Sequence, residues 1–129
     1  MGSGVTPVGW LFDDVPNRVL KLGMDVAALR HQVIANNIAN VDTPYFKASD
    51  VSFEEQLRAA LSSGGAGAAE LAEAGPVVYR VPATRFRIDG NTVDIDWETV
   101  KLSQNTGRYN AQAAVLRRRL AMWRRVAGE

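Results

Sequence analysis

The chain has 129 residues, with 15 Lys and Arg against 14 Asp and Glu, one His, no Cys and 47% apolar residues. That is the size of one domain or one elongated protomer, too apolar for a disordered tail and without the run of about eighteen apolar residues that a membrane span needs. Balanced charge gives no overall pull towards nucleic acid or lipid, the lack of Cys excludes disulfides, thiolate metal sites and Cys nucleophiles, and the lone His31 leaves little for His-rich metal sites or a Ser-His-Asp arrangement.

Residues 1–10 have neither the positive start nor the apolar stretch of a Sec-type signal and are set aside as a leader or flexible arm. From residue 11 to 40, Phe12, Val15, Val19, Leu22, Val26, Leu29 and Val33 alternate spacings of 3 and 4. This heptad stripe predicts one helix of roughly 45 Å, with Gly23 its only weak position, at about 1 kcal/mol relative to Ala. Carried further, the stripe meets Asn36 and Asn40, polar residues where apolar ones are wanted. Asp42 then opens an Asx-type turn through Thr43, Pro44, Tyr45, Phe46 and Lys47.

Ser52 followed by Glu55 reads as a capping box, starting a short helix with Phe53, Leu57 and Leu61 on one face. Residues 62–75 are almost all Ala, Gly, Ser, Glu and Leu, the composition of a flexible linker. Val77, Val78, Tyr79, Val81, Phe86, Ile88, Val93 and Ile95 form a small β-rich insert with a hairpin turn at Asp89-Gly90, Pro82 limiting Val77–Val81 to an edge strand. A second long helix is predicted over 94–126, with Asp94 as N-cap, Asp96 and Glu98 in its first turn, and Arg117, Arg118, Arg119, Arg124 and Arg125 near its end, all favourable to the macrodipole. Its stripe is Leu102, Thr106, Tyr109, Ala113, Leu116, Leu120 and Trp123, spaced 4, 3, 4, 3, 4, 3.

The expected fold is therefore mainly α: two long terminal helices pairing as an antiparallel, coiled-coil-like hairpin around a small β-containing central insert (41–93). Two narrow stripes cover each other without making a globule. At roughly 25 cal/mol per Å² their burial falls short of ordering some sixty residues at about 1–2 kcal/mol each. Leu11, Leu20, Ile34, Ile38, Val115 and Met122 lie off both stripes and are expected to stay wet in an isolated hairpin. Exposed apolar surface of this kind marks an assembly interface, so the chain reads as an obligate assembly protomer.

The run Ala35-Asn36-Asn37-Ile38-Ala39-Asn40-Val41-Asp42-Thr43-Pro44-Tyr45-Phe46-Lys47 resembles the N-terminal signature of bacterial flagellar rod, hook and hook-filament junction proteins. Asp89-Gly90-Asn91-Thr92-Val93-Asp94, followed by a helix with Arg108-Tyr109 and ending Arg118-Arg119-Leu120-Ala121-Met122, is similar to the proximal rod members in particular. The resemblance spans about residues 11–126. It implies a non-enzymatic, cofactor-free subunit of the flagellar basal-body rod, exported without a cleaved signal through the flagellar type III apparatus and assembled as a tube in the periplasm. Implied partners are copies of itself, other rod proteins, the adapter between rod and MS ring, and the export gate. One departure stands out: the family has Gly where this chain has Tyr45, and because Tyr tolerates positive φ poorly, a type I or open turn is expected at Thr43–Phe46.

Candidate assembly residues are Val26, Leu29, Val33, Asn36, Asn37, Asn40, Thr43, Pro44, Tyr45, Phe46, Lys47, Tyr109, Ala113, Leu116, Leu120 and Trp123. Asn36, Asn37 and Asn40 either fix register between subunits, as the resemblance implies, or simply cap the first helix. The aromatic turn either contacts neighbours or packs on its own protomer. The C-terminal arginines form a solvated helix face or pair with acids of adjacent subunits. A small nucleic-acid-binding module using them is the rival from another class. Asp94 and Asp96 suit capping, and nothing forms a catalytic pocket around them.

Overall fold

The computed structural model describes residues 15–62, 75–82 and 88–128. The order is α1 (Val15–Ala39), β1 (Ser49–Ser52), α2 (Glu54–Ser62), β2 (Val77–Arg80) and α3 (Ile95–Val126). α1 and α3 pack against each other over much of their lengths, the expected hairpin. The leader, the first residues of the predicted N-terminal helix and most of the linker lie outside the described residues.

α3 starts where the capping residue dictates: Asp94 is extended, and its Oδ1 accepts from the backbone N–H of Asp96 (3.1 Å) and Trp97 (3.3 Å). The second predicted cap does not form. Ser52 ends β1 with its hydroxyl on Gln56 Oε1 (3.1 Å), and the carbonyl of Phe53 takes the first α2 bond, from Leu57. Of the hairpin expected at Asp89-Gly90, residues 83–87 lie outside the described residues; Asp89 is in a turn, but residues 90–94 form no strand. β2 pairs antiparallel with β1, Asp50 opposite Tyr79 and Val51 opposite Val78, because the chain at Asp89–Asp94 is committed to α1 and α3. β2 is exposed along its length, as an edge strand is.

The middle of the apolar stripe of α1 packs under the insert. Val26 joins Val51, Phe53 and Ala60 in the core, with Leu22, Leu29, Val33 and Leu57 packed against them, so the stripe is covered by the insert. Val51 of β1, Phe53, and Leu57 and Ala60 of α2 close over this part of α1, and burial follows apolar area. α3 instead meets a second line of α1, one position round, where Gly23, Ala27 and Asn37 approach Gln112, Asn105 and Glu98. Ile34 falls on this second line and is 1% exposed, against the expectation that it stays wet, whereas Val115 and Met122 are exposed as expected. On α3, Leu102, Ala113, Leu116, Leu120 and Trp123 are half-buried, while Thr106 and Tyr109 are exposed.

Candidate functional site

The two motifs that stood far apart in the sequence meet at one end of the hairpin. At its centre is Asn91, fully buried. Its Nδ2 donates to the carbonyls of Asn40 (2.9 Å), Val41 (3.1 Å) and Thr43 (2.7 Å), just beyond the last turn of α1. The last carbonyls of α1 itself are met by the N–H groups of Asn40 and Val41, so the Asn91 amide ties down the turn by which the chain leaves the helix. The same side chain accepts from Val93 N–H through Oδ1 (2.8 Å), and its own N–H is held by Asp89 Oδ1 (3.1 Å). Asn91 therefore clasps the end of α1 to the start of α3.

Around the clasp the two segments are laced by two backbone–backbone bonds and two that use a side chain. Tyr45 N–H donates to Asp89 O (2.9 Å), Thr92 N–H to Phe46 O (3.1 Å), Ala48 N–H to Thr92 Oγ1 (2.9 Å), and Lys47 Nζ to Gly90 O. The turn itself corrects the sequence expectation. Tyr45 has φ 62°, the left-handed conformation that a Gly adopts freely, and not a type I or open geometry. Its N–H bond to Asp89 fixes that backbone, and its ring lies over Gly90, where an added Cβ would sit 2.8 Å from Tyr45 Cδ1. Gly90 is itself at φ 74°. The ring nonetheless remains 77% exposed, beside exposed Thr43 and Pro44.

Asn37 is also spent within the protomer. Fully buried, it donates to Ser49 O (2.8 Å) and Glu98 Oε2 (3.2 Å) and accepts from Ser49 N–H (3.1 Å), so α1, β1 and α3 share one amide. That leaves no surface for the intersubunit register role expected of it. Asn40 closes locally, its Nδ2 on Asn36 O (2.8 Å) and its Oδ1 accepting from Thr43 Oγ1 (3.1 Å). Asn36 is exposed. Val26 is likewise inside the core rather than at a surface.

Buried charge extends from this junction along the hairpin. Glu98, almost wholly buried, pairs with Lys101 (2.9 Å), which also reaches Asp50 (3.7 Å). Arg30 grips Glu54 with both terminal nitrogens (2.7 and 2.8 Å) and donates to Val51 O (3.2 Å), while Arg108 approaches Glu54 from α3 (3.3 Å). Partial burial raises the Glu54 carboxyl, but the Arg30 hydrogen bond, a backbone N–H and the charges of Arg30 and Arg108 outweigh it. The net pKa lies below the ordinary 4.5. Farther along, Asn105 Nδ2 donates to Ala27 O (2.7 Å) and Arg119 Nε to Asn17 Oδ1 (2.8 Å), with Arg119 over the Trp123 ring.

Glu98, Asn105, Gln112 and Arg119 are spaced by seven, a polar heptad running beside the apolar one. Sequence reasoning missed these four and Asn91. The regular spacing was a usable signal for the first group, and the Asp-Gly-Asn run for the last.

His31 is exposed and borders an open groove of about 430 Å³ with Ala27, Ala28 and Tyr109. Among the described residues no group of three or more His, Asp or Glu is arranged to hold a metal, and no helix is long and apolar enough to cross a membrane.

Fold and site together define the class: a helical hairpin clasped at one end by two short motifs, with apolar side chains left outside. The chain belongs to the flagellar basal body rod protein family. The family model for flagella basal body rod proteins matches residues 23–47, the segment that carries Asn37, Asn40 and the turn. Flagellar basal body rod protein FlgB of Cereibacter sphaeroides is 34% identical over 114 residues, covering 78% of this chain and 88% of the relative. FlgB of Salmonella typhimurium is 33% identical over 119 residues (80% and 86%), and that of Aeromonas hydrophila 36% over 95 residues (67% and 72%).

Proposed function

We propose that this chain is a structural subunit of the proximal part of the rod, one that forms part of the axial tube, transmits torque and encloses the path of exported flagellar proteins. The observation that carries this reading is the junction: the segment common to the family and the Asp89–Asp94 segment are joined through Asn91, which makes the hairpin a single rigid lever. A torque-bearing element needs its two helices locked together at an end, and a buried amide with four bonds to two segments does so. Neighbours in the tube are copies of itself, other rod proteins, the adapter to the MS ring and the export gate, in the periplasm. Tyr45, Thr43, Pro44 and Asn36 at the hairpin tip, with Tyr109 on α3, are the proposed contact residues; Leu29, Val33, Phe46, Ala113, Leu116, Leu120 and Trp123 are half-buried and support them.

The test is complementation. In a flagellated host lacking its own FlgB gene, the chain is expected to restore swimming and to be recovered in purified basal bodies. Stable protein that gives neither rods nor motility overturns the reading.

A further inference from the structure

Beside the clasp, the sheet and the start of α3 enclose a cleft of about 400 Å³, within the roughly 300–1,000 Å³ that ligand sites occupy. Its apolar walls include Tyr79 of β2, Val81 just past that strand, and Trp97 in the first turn of α3. The two rings are 43% and 55% exposed, so the protomer itself leaves their faces uncovered. The polar lining is acidic in sum, with Asp50, Asp94 and Glu98 against Lys101. Lys101 is divided between Glu98 (2.9 Å) and Asp50 (3.7 Å), and among the described residues no ion pair reaches Asp94, whose Oδ1 caps α3. Even with the partial positive charge of the α3 N-terminus, about half a unit, set against them, three carboxylates and one ammonium leave an excess of about one and a half negative charges. Aromatic faces beside carboxylates in excess are the surroundings that a guanidinium or an ammonium group seeks.

The sheet that walls this cleft has an open edge. Val81 N–H donates to Ala48 O (3.0 Å), and the bonds of an antiparallel ladder alternate, so Val77 and Tyr79 turn their backbone groups towards β1 while Val78 and Arg80 turn theirs away. Among the described residues no strand pairs with that outer edge. We infer that an extended segment of another protein adds to the outer edge of β2 and places an Arg or Lys side chain in the cleft. Side chains alternate across a strand, so every second residue of the added segment projects on the Tyr79 side, towards the cleft, while its backbone bonds to Val78 and Arg80. The edge supplies the hold, and the acidic, aromatic cleft selects the cation. The exposed arginines of α3 in a second copy are helical and cannot add to a strand edge, which favours a different protein as the occupant. The inference stands on the cleft and the edge, whether or not the chain enters a rod.

The test uses the full chain and a blocked peptide, Thr-Val-Arg-Val-Thr, beside the same peptide with citrulline, the neutral isostere, in place of Arg. The chain has three Trp, so the indole N–H of Trp97 is one of three such resonances and is assigned with W97F. The Arg peptide is expected to shift it saturably, and the citrulline peptide to bind about tenfold more weakly. Y79A, which removes a ring, and D50N, which removes a charge without changing shape, are each expected to weaken the Arg peptide several-fold. Circular dichroism identifies any variant that fails to fold, and the comparison of the two peptides on the parent chain stands without variants. No saturable shift up to roughly 10 mM peptide, equal binding of the citrulline peptide, or binding indifferent to both Y79A and D50N overturns the inference. So does N-acetylarginine amide binding as tightly as the peptide, since the strand edge then contributes nothing. A Trp97 shift that grows with the concentration of the chain alone gives the edge to a second copy and likewise overturns it.

Discussion

Replacing Asn91 by Ala tests the clasp directly. The carbonyls of Asn40 and Thr43 keep the N–H groups of Thr43 and Phe46, so the loss concentrates on Val93 N–H and on the missing donor at the end of α1. At about 1–2 kcal/mol for each buried group left without its partner, plus the vacated packing of a fully buried side chain, the cost is about 3 kcal/mol. That is a large share of the roughly 5–15 kcal/mol available to a domain of this size. With a urea m-value of about 2 kcal/mol per M, the midpoint of helix loss followed by circular dichroism should fall by about 1.5 M. N91D sharpens the test, since it keeps the acceptor for Val93 but turns a carboxylate towards three carbonyl oxygens. It should be less stable than N91A at neutral pH. Burial among carbonyls raises its folded pKa, so its deficit relative to the parent should shrink as pH falls and the carboxyl regains a proton to donate. An N91A midpoint within about 0.2 M of the parent, or N91D more stable than N91A at neutral pH, would refute the clasp.

Gly90→Ala should cost about 1–2 kcal/mol for its left-handed backbone and more for the contact with the Tyr45 ring; in a Y45G background the second part should vanish, giving a double-mutant coupling above about 0.5 kcal/mol. Glu54 has a depressed folded pKa, so its contribution is present above pH 4.5 and lost as pH falls through the lower folded value; E54Q should lower the neutral plateau of the stability–pH curve and flatten its acid limb below 4.5, the two chains converging as the parent's carboxyl is protonated. Asn105 Oδ1 is buried without a hydrogen-bond partner, so N105L should leave stability unchanged or raise it by about 1 kcal/mol in thermal melts, the opposite sign to N91A. Val26→Asp should unfold the chain itself rather than merely block association, visible as loss of helix in dilute protein.

The long helices were legible because a period of 3.5 held over seven positions, apolar in all but Thr106, fits neither a strand nor a loop, and the N-cap at Asp94 because one side chain and two amides decide it. What each helix meets was not. An apolar stripe states that it wants cover, not which segment supplies it, and Phe53 and Val51 of the insert won Val26 from α3. Tyr45 failed for a related reason. Local preference disfavours φ 62°, but the N–H bond to Asp89, a residue 44 positions away, sets the backbone, and no local rule sees that partner. Nothing local separates an Asn37 that fixes register or caps a helix from one spent inside the protomer, and nothing local marks Asn91 as a clasp; the fold brings their partners together.

The division of labour on α1 explains why the α1–α3 seam is polar. If the apolar stripe of α1 faced α3, the two heptads would slide with little loss, since Val, Leu and Ala knobs fit neighbouring holes nearly as well. Glu98 on Asn37, Asn105 on Ala27 O and Arg119 on Asn17 each have one acceptable alignment, and a shift of one turn would strand all three in a buried interface. Register thus comes from the hydrogen bonds and adhesion from the insert. The separation leaves the outer face of α3 with no duty inside the protomer, which is the condition for that face to serve between protomers.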